Sequence, residues 1–186
     1  MSNRLSQKKR LAPDERAAQL LSVALELFAE KGVGRVGHAD IAKRAGISTA
    51  TVFHYFPTID GLNSRVMDVV HNAALAIFKS PPAPAQTSPT LILGERLLEI
   101  AENQPDLVKI FLNWSHAYGE PFRMKFLNLK AEILDLIAES LSPRENANID
   151  AQIIFGTGLM LAQMKLEGAD DTALERFSQR VAQLIG

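Results

Sequence analysis

Cysteine is absent from the 186-residue sequence, and tryptophan occurs once. The chain therefore has no disulfide, no thiolate metal site and no cysteine nucleophile, which suits a reducing cytoplasm. No stretch approaches the roughly 18 uninterrupted apolar residues of a transmembrane helix. The N-terminus is polar and basic, and no apolar segment follows it as in a signal peptide. These absences predict a cytoplasmic protein without a membrane partner.

Motifs for catalysis and cofactor binding are also missing. The four histidines (His38, His54, His71 and His116) lack the spacing of metal ligands. The sequence contains no glycine-rich phosphate loop, no nucleophile elbow and no zinc-protease motif. We therefore expect no cofactor, no metal and no enzymatic activity. A small all-α enzyme stays as a rival hypothesis, which would require a pocket with strongly shifted carboxylates.

Charge is distributed unevenly along a chain whose net charge is −1. Residues 1–80 hold 11 lysines and arginines against 7 aspartates and glutamates, whereas residues 81–186 hold 9 against 14. A basic front and an acidic rear are typical of a nucleic-acid-binding domain joined to a regulatory half. An imbalance of this size also arises by chance, so it supports this interpretation without deciding it.

Residues 37–56 have the pattern of two short helices joined by a tight turn. Gly46 can end the first helix in the left-handed conformation, and the Ser48 hydroxyl can cap the second. The second helix would turn Val52 and Phe56 inward and leave short polar side chains outward. This is the helix-turn-helix pattern, whose second helix enters the major groove of DNA. The predicted outward set is Thr49, Ala50, Thr51 and His54.

The flanking segments make this pattern specific. Together with it they resemble the N-terminal domain of the TetR family of bacterial transcriptional regulators, from Pro13 to Val70. A narrower similarity, to the LuxR/HapR branch of vibrio quorum-sensing master regulators, lies in residues 37–42, 50–53 and 55–58. The segments that carry the family resemblance are 24–32, 41–42 with 45–48, and 55–57.

Helical patterning, the proline-rich stretch 80–90 and the resemblance predict a TetR-like all-α fold of about nine helices. A flexible basic arm (1–12) would precede a three-helix DNA-binding domain (13–57) and a connecting helix (58–79). A ligand-binding and dimerisation domain (80–186) would complete the chain. The resemblance implies a homodimer on a pseudo-palindromic site in double-stranded DNA, as a quorum-sensing-type regulator, with repression or activation left open.

The predicted DNA contacts fall into two groups. Thr49, Ala50, Thr51 and His54 would face base edges, while Thr51, Phe53, Tyr55 and the N-terminal arm would lie near the phosphate backbone. Ser48 is a further DNA-binding candidate. His38 would cap the helix that it precedes, contact a phosphate, or do neither.

The N-terminal arm has two interpretations. Residues 1–12 contain Arg4, Lys8, Lys9 and Arg10, and they form either a solvated tail or an arm that contacts phosphates or the adjacent minor groove. In the quorum-sensing branch the equivalent arm reaches the minor groove, and Lys8 and Arg10 fall at the matching positions.

Two positions depart from the family pattern. Ile59 stands where relatives usually carry a lysine or arginine that holds a phosphate, and His54 replaces an asparagine typical of the quorum-sensing branch. The operator sequence therefore cannot be transferred. Ile59 also favours a rival hypothesis, that of a helical ligand-binding or scaffold protein with a vestigial helix-turn-helix.

The aromatic residues from Phe78 onwards have two interpretations: they form part of the core or they line a ligand pocket. The resemblance implies a cavity for a small-molecule effector in the second half of the chain, although the effector's identity and existence are left open. The pocket candidates are Phe78, Phe111, Trp114, Ser115 and Asn128, with Asn113 and His116 as further polar contacts.

The last two predicted helices suggest a subunit interface. Leu174, Phe177, Val181 and Leu184 are spaced by three, four and three residues, as in the seam of a helical bundle. The preceding helix is apolar on more than one side, with Ile153, Gly156, Met160 and Met164 as interface candidates. The resemblance implies a four-helix bundle formed by these helices from two subunits.

Overall fold

The computed structural model of the chain describes residues 11–79 and 88–185. Within these ranges the protein consists of nine α-helices and has no strand, which confirms the predicted all-α fold. None of the described helices is long and apolar enough to cross a bilayer. In chain order they are α1 (Pro13–Lys31), α2 (His38–Ala45), α3 (Thr49–Tyr55), α4 (Ile59–Lys79), α5 (Pro89–Asn103), α6 (Pro105–Ser115), α7 (Phe122–Leu141), α8 (Ala147–Leu166) and α9 (Asp171–Ile185).

Helix α1 is amphipathic and packs against α2, α4 and α6. Pro13 lies in its first turn, and the Glu15 carboxylate accepts a hydrogen bond from the Ala12 N–H at 2.9 Å. Both features stabilise a helix start, where backbone N–H groups lack partners and negative charge is favoured. Its buried side chains are Leu20, Ala24, Leu27 and Phe28.

The turn between α2 and α3 has the predicted chemistry. Gly46 has φ 65° and ψ 39°, the left-handed conformation that glycine adopts without steric cost. The Ile47 N–H then donates to the Ala42 carbonyl at 3.0 Å, which closes the end of α2. Ser48 caps α3, because its Oγ accepts a hydrogen bond from the Thr51 N–H at 3.2 Å. Sequence spacing alone therefore predicts this helix-turn-helix correctly.

Helix α4 leads away from the helix-turn-helix over 21 residues, about 31 Å at the usual rise per residue. Its start is capped by Thr58, whose Oγ1 accepts the Gly61 N–H at 3.0 Å. Ile59 is half-buried and packs against the core, so this position has a structural role. Helix α4 then packs against α5, α6 and α7. It therefore connects the two halves of the chain.

A second connection joins the halves at the turn before α2. Gly34 has a φ of 76°, and a Cβ on it would lie 3.1 Å from Cε2 of Phe122, the first residue of α7. The Phe122 carbonyl in turn accepts a hydrogen bond from Trp114 Nε1 at 2.9 Å. Since α1 also packs against α6, the α6–α7 corner contacts the front of the molecule independently of α4.

The apolar core continues across the boundaries predicted at residues 58 and 80. Buried side chains of α1 to α4 belong to the same cluster as those of α6, α7 and α8. Trp114 lies within this cluster, and its ring centroid is 5.8 Å from that of Phe126. Within a subunit, the two halves of the chain therefore share one core.

Candidate DNA-binding surface, effector cavity and subunit interface

Helix α3 presents one exposed face to solvent. Thr49, Ala50, Phe53 and His54 are exposed, whereas Val52 on the opposite side is buried. Residues three and four positions apart lie on one face of a helix, so these four side chains form a continuous surface. We call this surface the α3 face. It contains three of the four side chains predicted to face base edges.

The fourth, Thr51, is oriented differently. Its side chain is half-buried, and its Oγ1 lies 2.9 Å from the Ser48 Oγ. The two hydroxyls share one hydrogen bond at the start of α3, so Thr51 takes part in the cap, and its contact with base edges stays a prediction. Tyr55 is half-buried and packs against the core, with its ring edge towards His54 at 5.1 Å.

His38 has a role that the sequence analysis missed. Gly37, not His38, occupies the cap position of α2, so the capping interpretation is wrong. The imidazole is 9% exposed, its Nε2 lies 2.7 Å from the Phe56 carbonyl oxygen, and its ring stacks on Phe53 at 4.1 Å. Because the imidazole is buried and makes these two contacts, it is poorly placed to bind a DNA phosphate. His38 instead joins the start of α2 to the end of α3 and fixes one side of the α3 face.

We expect His38→Ala to lower the free energy of unfolding by about 1–3 kcal/mol, because it leaves the buried Phe56 carbonyl without its partner. Urea denaturation followed by circular dichroism measures this change. His71→Ala is the matched control, since His71 is half-exposed and makes a surface ion pair with Glu132 at 3.5 Å, a type worth about 0–1 kcal/mol. Equal losses in the two variants would contradict the joining role of His38.

Ion pairs attach α2 to α1 from outside. The Arg44 guanidinium lies 2.6 Å from Glu30 and 3.6 Å from Glu26, and Lys31 pairs with Asp40. Lys31 and then the Gly37 N–H lower the pKa of Asp40, and the hydrogen bond from Arg44 lowers the pKa of Glu30. These exposed pairs add orientation more than stability, because water screens them. Surface ion pairs therefore hold α2 against α1, and the buried His38 joins α2 to the end of α3.

The predicted arm contacts Lys8 and Arg10 lie outside the described residues. Their role therefore stays a prediction.

Helices α4 to α9 surround a cavity of about 120 Å³. Two of the predicted pocket residues, Phe78 and Phe111, line it. Its other walls include Val70 on α4, Leu97 on α5 and Phe177 on α9. The cavity therefore touches the connecting helix at one side and the C-terminal helix at the other.

Three predicted pocket residues do not line this cavity. Trp114 is 1% exposed and lies in the core. Its indole N–H donates a hydrogen bond to the Phe122 carbonyl at the start of α7. Ser115 Oγ donates to the Leu112 carbonyl at 2.7 Å, and Asn128 is exposed on α7. The further candidates Asn113 and His116 line a separate groove between α1, α6 and α8. Of the two interpretations of Trp114, core or pocket, its burial confirms the core.

The cavity lining is almost entirely apolar, and none of its side chains is charged. Its hydroxyl groups come from Thr90, Thr157 and Ser178. Thr157 Oγ1 donates to the Ile153 carbonyl at 2.7 Å, which satisfies it within α8. The buried Ser178 Oγ has no hydrogen-bond partner among the described residues.

The predicted seam on α9 packs mostly within the subunit. Leu174 and Val181 are 1% and 8% exposed, and Phe177 lines the cavity. Leu174 and Val181 are therefore covered by their own subunit, and the proposed role of this seam in a subunit interface stays a prediction. A spacing of three and four residues identifies a packed face but does not tell whether the same chain or a second one covers it.

A different apolar surface remains exposed on α8. Ile149, Ile153, Gly156 and Met160 are exposed and are spaced by four, three and four residues, so they follow one face. Leu184 is 70% exposed. The Arg144 guanidinium donates to the Ile185 carbonyl at 2.8 Å, which brings the end of α9 beside the start of α8.

We call these five residues the α8 stripe. Ile153, Gly156, Met160 and Leu184 are among the interface residues predicted from the sequence. Ile149, which lies one turn before Ile153, is not among them. Met164, the remaining candidate, is half-buried. Single exposed apolar residues are ordinary, whereas a contiguous row marks an interaction surface.

Comparison with known proteins agrees with the helix-turn-helix. The family model described as bacterial regulatory proteins, tetR family, matches residues 20–66. Over 63 residues the chain is 52% identical to the HTH-type transcriptional regulator LuxR of Vibrio harveyi, a stretch that covers 34% of this chain and 31% of that relative. The match with LuxR thus spans about a third of that protein's length.

Longer matches extend beyond this domain. Over 144 residues the chain is 27% identical to the HTH-type transcriptional regulator BetI of Escherichia coli, covering 71% of this chain and 72% of that one. A TetR-like transcriptional regulator from Rhodococcus sp. RHA1 has a TM-score of 0.77 at 18% identity and covers 95% of this chain and 96% of that chain. At this identity the structural match concerns the fold.

Proposed function

We propose that the chain, whose N-terminal domain matches the TetR family of bacterial regulatory proteins, regulates transcription by binding double-stranded DNA. The observation that carries this proposal is the α3 face. Its side chains are exposed on a short helix whose start is capped by Ser48 and whose end is held by His38. A rigid helix with one uncovered face is what a reader of the major groove requires.

The chemistry of the α3 face supports base reading. Thr49 and Ala50 are small and allow the backbone of α3 to approach the groove floor, where their methyl groups can contact the methyl group of thymine. His54 offers a ring nitrogen to a base edge or a phosphate. Phe53 stacks on His38 and presents an apolar edge near the sugar–phosphate backbone. In this proposal phosphate contacts orient the helix, and Thr49, Ala50 and His54 specify the sequence.

We propose that the α8 stripe forms the interface of a homodimer. A two-fold axis through this surface would pair each apolar side chain with the same surface of the second copy. The dimer would then present two copies of α3 about one helical turn of DNA apart, which calls for a pseudo-palindromic operator. The acidic rear half of the chain would stay away from the phosphates.

The identity with LuxR supports a place near the LuxR/HapR branch, and so the proposal of a quorum-sensing-type regulator. This identity covers 63 residues, 34% of the chain, in its N-terminal part. The longer match with BetI supports the broader proposal of an HTH-type regulator over most of the chain.

We also propose that the cavity receives a small-molecule effector. Helix α4 forms one wall through Val70 and Phe78, while its first turn follows α3 directly. An occupant that prefers one tilt of α4 would change the distance between the two α3 helices of a dimer. A coupling of about 1–3 kcal/mol would change DNA affinity about 5–150-fold. Phe78 and Phe111 are the aromatic candidates that such an occupant would contact, because both line the cavity and Trp114 belongs to the core.

Selection of binding sites from a random pool of DNA duplexes tests the proposed function. We expect the full-length protein to enrich an inverted repeat whose half-sites are centred about 10 base pairs apart, or a multiple of that distance. Binding to the enriched sequence should weaken steeply as salt rises, because phosphate contacts release counterions. A pool that remains random after several rounds would favour the rival helical scaffold.

A further inference from the structure

The cavity provides no charged partner for a ligand that carries a formal charge. Its lining contains no aspartate, glutamate, lysine, arginine or histidine. Transfer of an ionised group into such surroundings without a partner costs several kcal/mol or more. A carboxylate, phosphate or ammonium ligand would therefore leave its charge unpaired, whereas an uncharged apolar molecule would gain from burial.

The size of the cavity limits its occupant to a small molecule. Its volume is about 120 Å³, and an engineered apolar cavity of about 150 Å³ accepts benzene. The occupant is therefore about as large as one six-membered ring.

Ser178 places one unsatisfied hydroxyl group in the wall of this apolar cavity. Its Oγ is buried without a hydrogen-bond partner among the described residues, although it lines the cavity. An unsatisfied buried hydroxyl costs about 1–3 kcal/mol. The neighbouring wall does not relieve this cost, because Gly94 faces Ser178 and would place a Cβ only 3.3 Å from that Oγ. Gly94 thus leaves room beside the hydroxyl and offers it no side chain.

We infer that the cavity binds an uncharged, mainly apolar molecule of single-ring size whose one polar group hydrogen-bonds to Ser178. This inference rests on the proposed effector site and defines the chemical class of the effector. The hydroxyl of Ser178 can both donate and accept, so an alcohol, a phenol or a carbonyl group fits. The rest of the ligand contacts the apolar side chains of α4, α5, α6 and α8.

Three probes of similar size test the class: phenol, toluene and benzoate. Each is titrated at millimolar concentration into the full-length protein without DNA, with binding followed by NMR. We expect phenol and toluene to bind and benzoate to bind at least about 10-fold more weakly than phenol, because its carboxylate finds no partner. Benzoate binding as tight as that of phenol would overturn the inference of an uncharged ligand.

Two variants test the role of Ser178. Ser178→Ala should weaken phenol binding about 2–10-fold, the value of one hydrogen bond, and leave toluene binding unchanged. The same substitution should raise the melting temperature of the unliganded protein, because it removes an unsatisfied hydroxyl. Ser140→Ala is the control, since the Ser140 hydroxyl already donates to the Ile137 carbonyl at 2.7 Å and lies outside the cavity lining. Ser140→Ala should change the binding of neither phenol nor toluene.

The possible results separate this inference from the proposed function. Equal phenol binding by the wild-type protein and Ser178→Ala would remove Ser178 from the site. Failure of phenol and toluene to bind would overturn the inference and the effector site together. Neither result affects the selection of DNA sites, which is carried out without any probe.

Discussion

Ala50→Glu is expected to weaken operator binding by about 100-fold or more. Ala50 lies in the middle of the α3 face and is exposed, so a carboxylate there would approach the phosphates and the acceptor-rich groove floor. Like charges brought together in an interface cost several kcal/mol, and each 1.4 kcal/mol is about tenfold in affinity. Fluorescence anisotropy on the selected operator at fixed salt measures the loss.

This substitution should leave the fold intact. Position 50 is the second residue of α3, and a carboxylate in the first turn of a helix interacts favourably with the helix dipole. Thermal unfolding of Ala50→Glu should therefore match that of the wild-type protein. Ala131→Glu provides the control, because Ala131 is also exposed on a helix but lies on α7, far along the chain from the helix-turn-helix. Equal operator affinity for both variants would show that the α3 face does not contact DNA.

Met160→Glu is expected to convert the dimer into a monomer. In a single subunit Met160 is 55% exposed, so the substitution costs the folded monomer little. In a dimer formed through the α8 stripe, two carboxylates would be buried near the two-fold axis without partners. An unpaired charge in such a place costs about 3–5 kcal/mol, which weakens association by a factor of several hundred or more. Sedimentation velocity should then give the mass of one 20.4 kDa chain.

A second methionine on the surface gives a close control for this experiment. Met124 is 54% exposed and lies on α7, outside the α8 stripe. Met124→Glu makes the same chemical change at nearly the same exposure and should stay dimeric. Because both half-sites of the operator must be held at once, Met160→Glu should also lose operator affinity, whereas Met124→Glu should keep it. A dimeric mass for Met160→Glu would place the interface elsewhere.

Features governed by neighbours in the chain were predictable from the sequence. The turn at Gly46, the cap at Ser48 and the cap at Thr58 depend on hydrogen bonds that span three to five residues. Such bonds follow from residue type and spacing, so the helix-turn-helix was placed correctly. The helices also followed from apolar periodicity and prolines, which act over similarly short distances.

Features that depend on which helices meet were not predictable in the same way. Trp114 is a pocket candidate by its sequence, but its indole N–H is satisfied in the core by the carbonyl of Phe122, beyond the next turn. Leu174 has the spacing of an interface residue, yet the same subunit covers it. Ser178 carried no sequence signal at all, because an isolated serine in a helix is ordinary until its surroundings are known. His38 needed the position of the Phe56 carbonyl, 18 residues away, before its role became visible.

The contact between Gly34 and Phe122 bears on the exchange of parts between related regulators. A hybrid that joins the DNA-reading half of one protein to the rear half of another is usually divided along the chain, within or after a helix such as α4. In this molecule such a division separates Gly34 from the Phe122 ring that lies against it. A donor with any larger residue at position 34 would place a Cβ 3.1 Å from that ring, at a φ of 76° that other residues rarely adopt, and Phe122 also provides the carbonyl that holds Trp114. Compatible hybrids therefore have to be matched at the α1–α2 turn and the α6–α7 corner as well as at the point of joining.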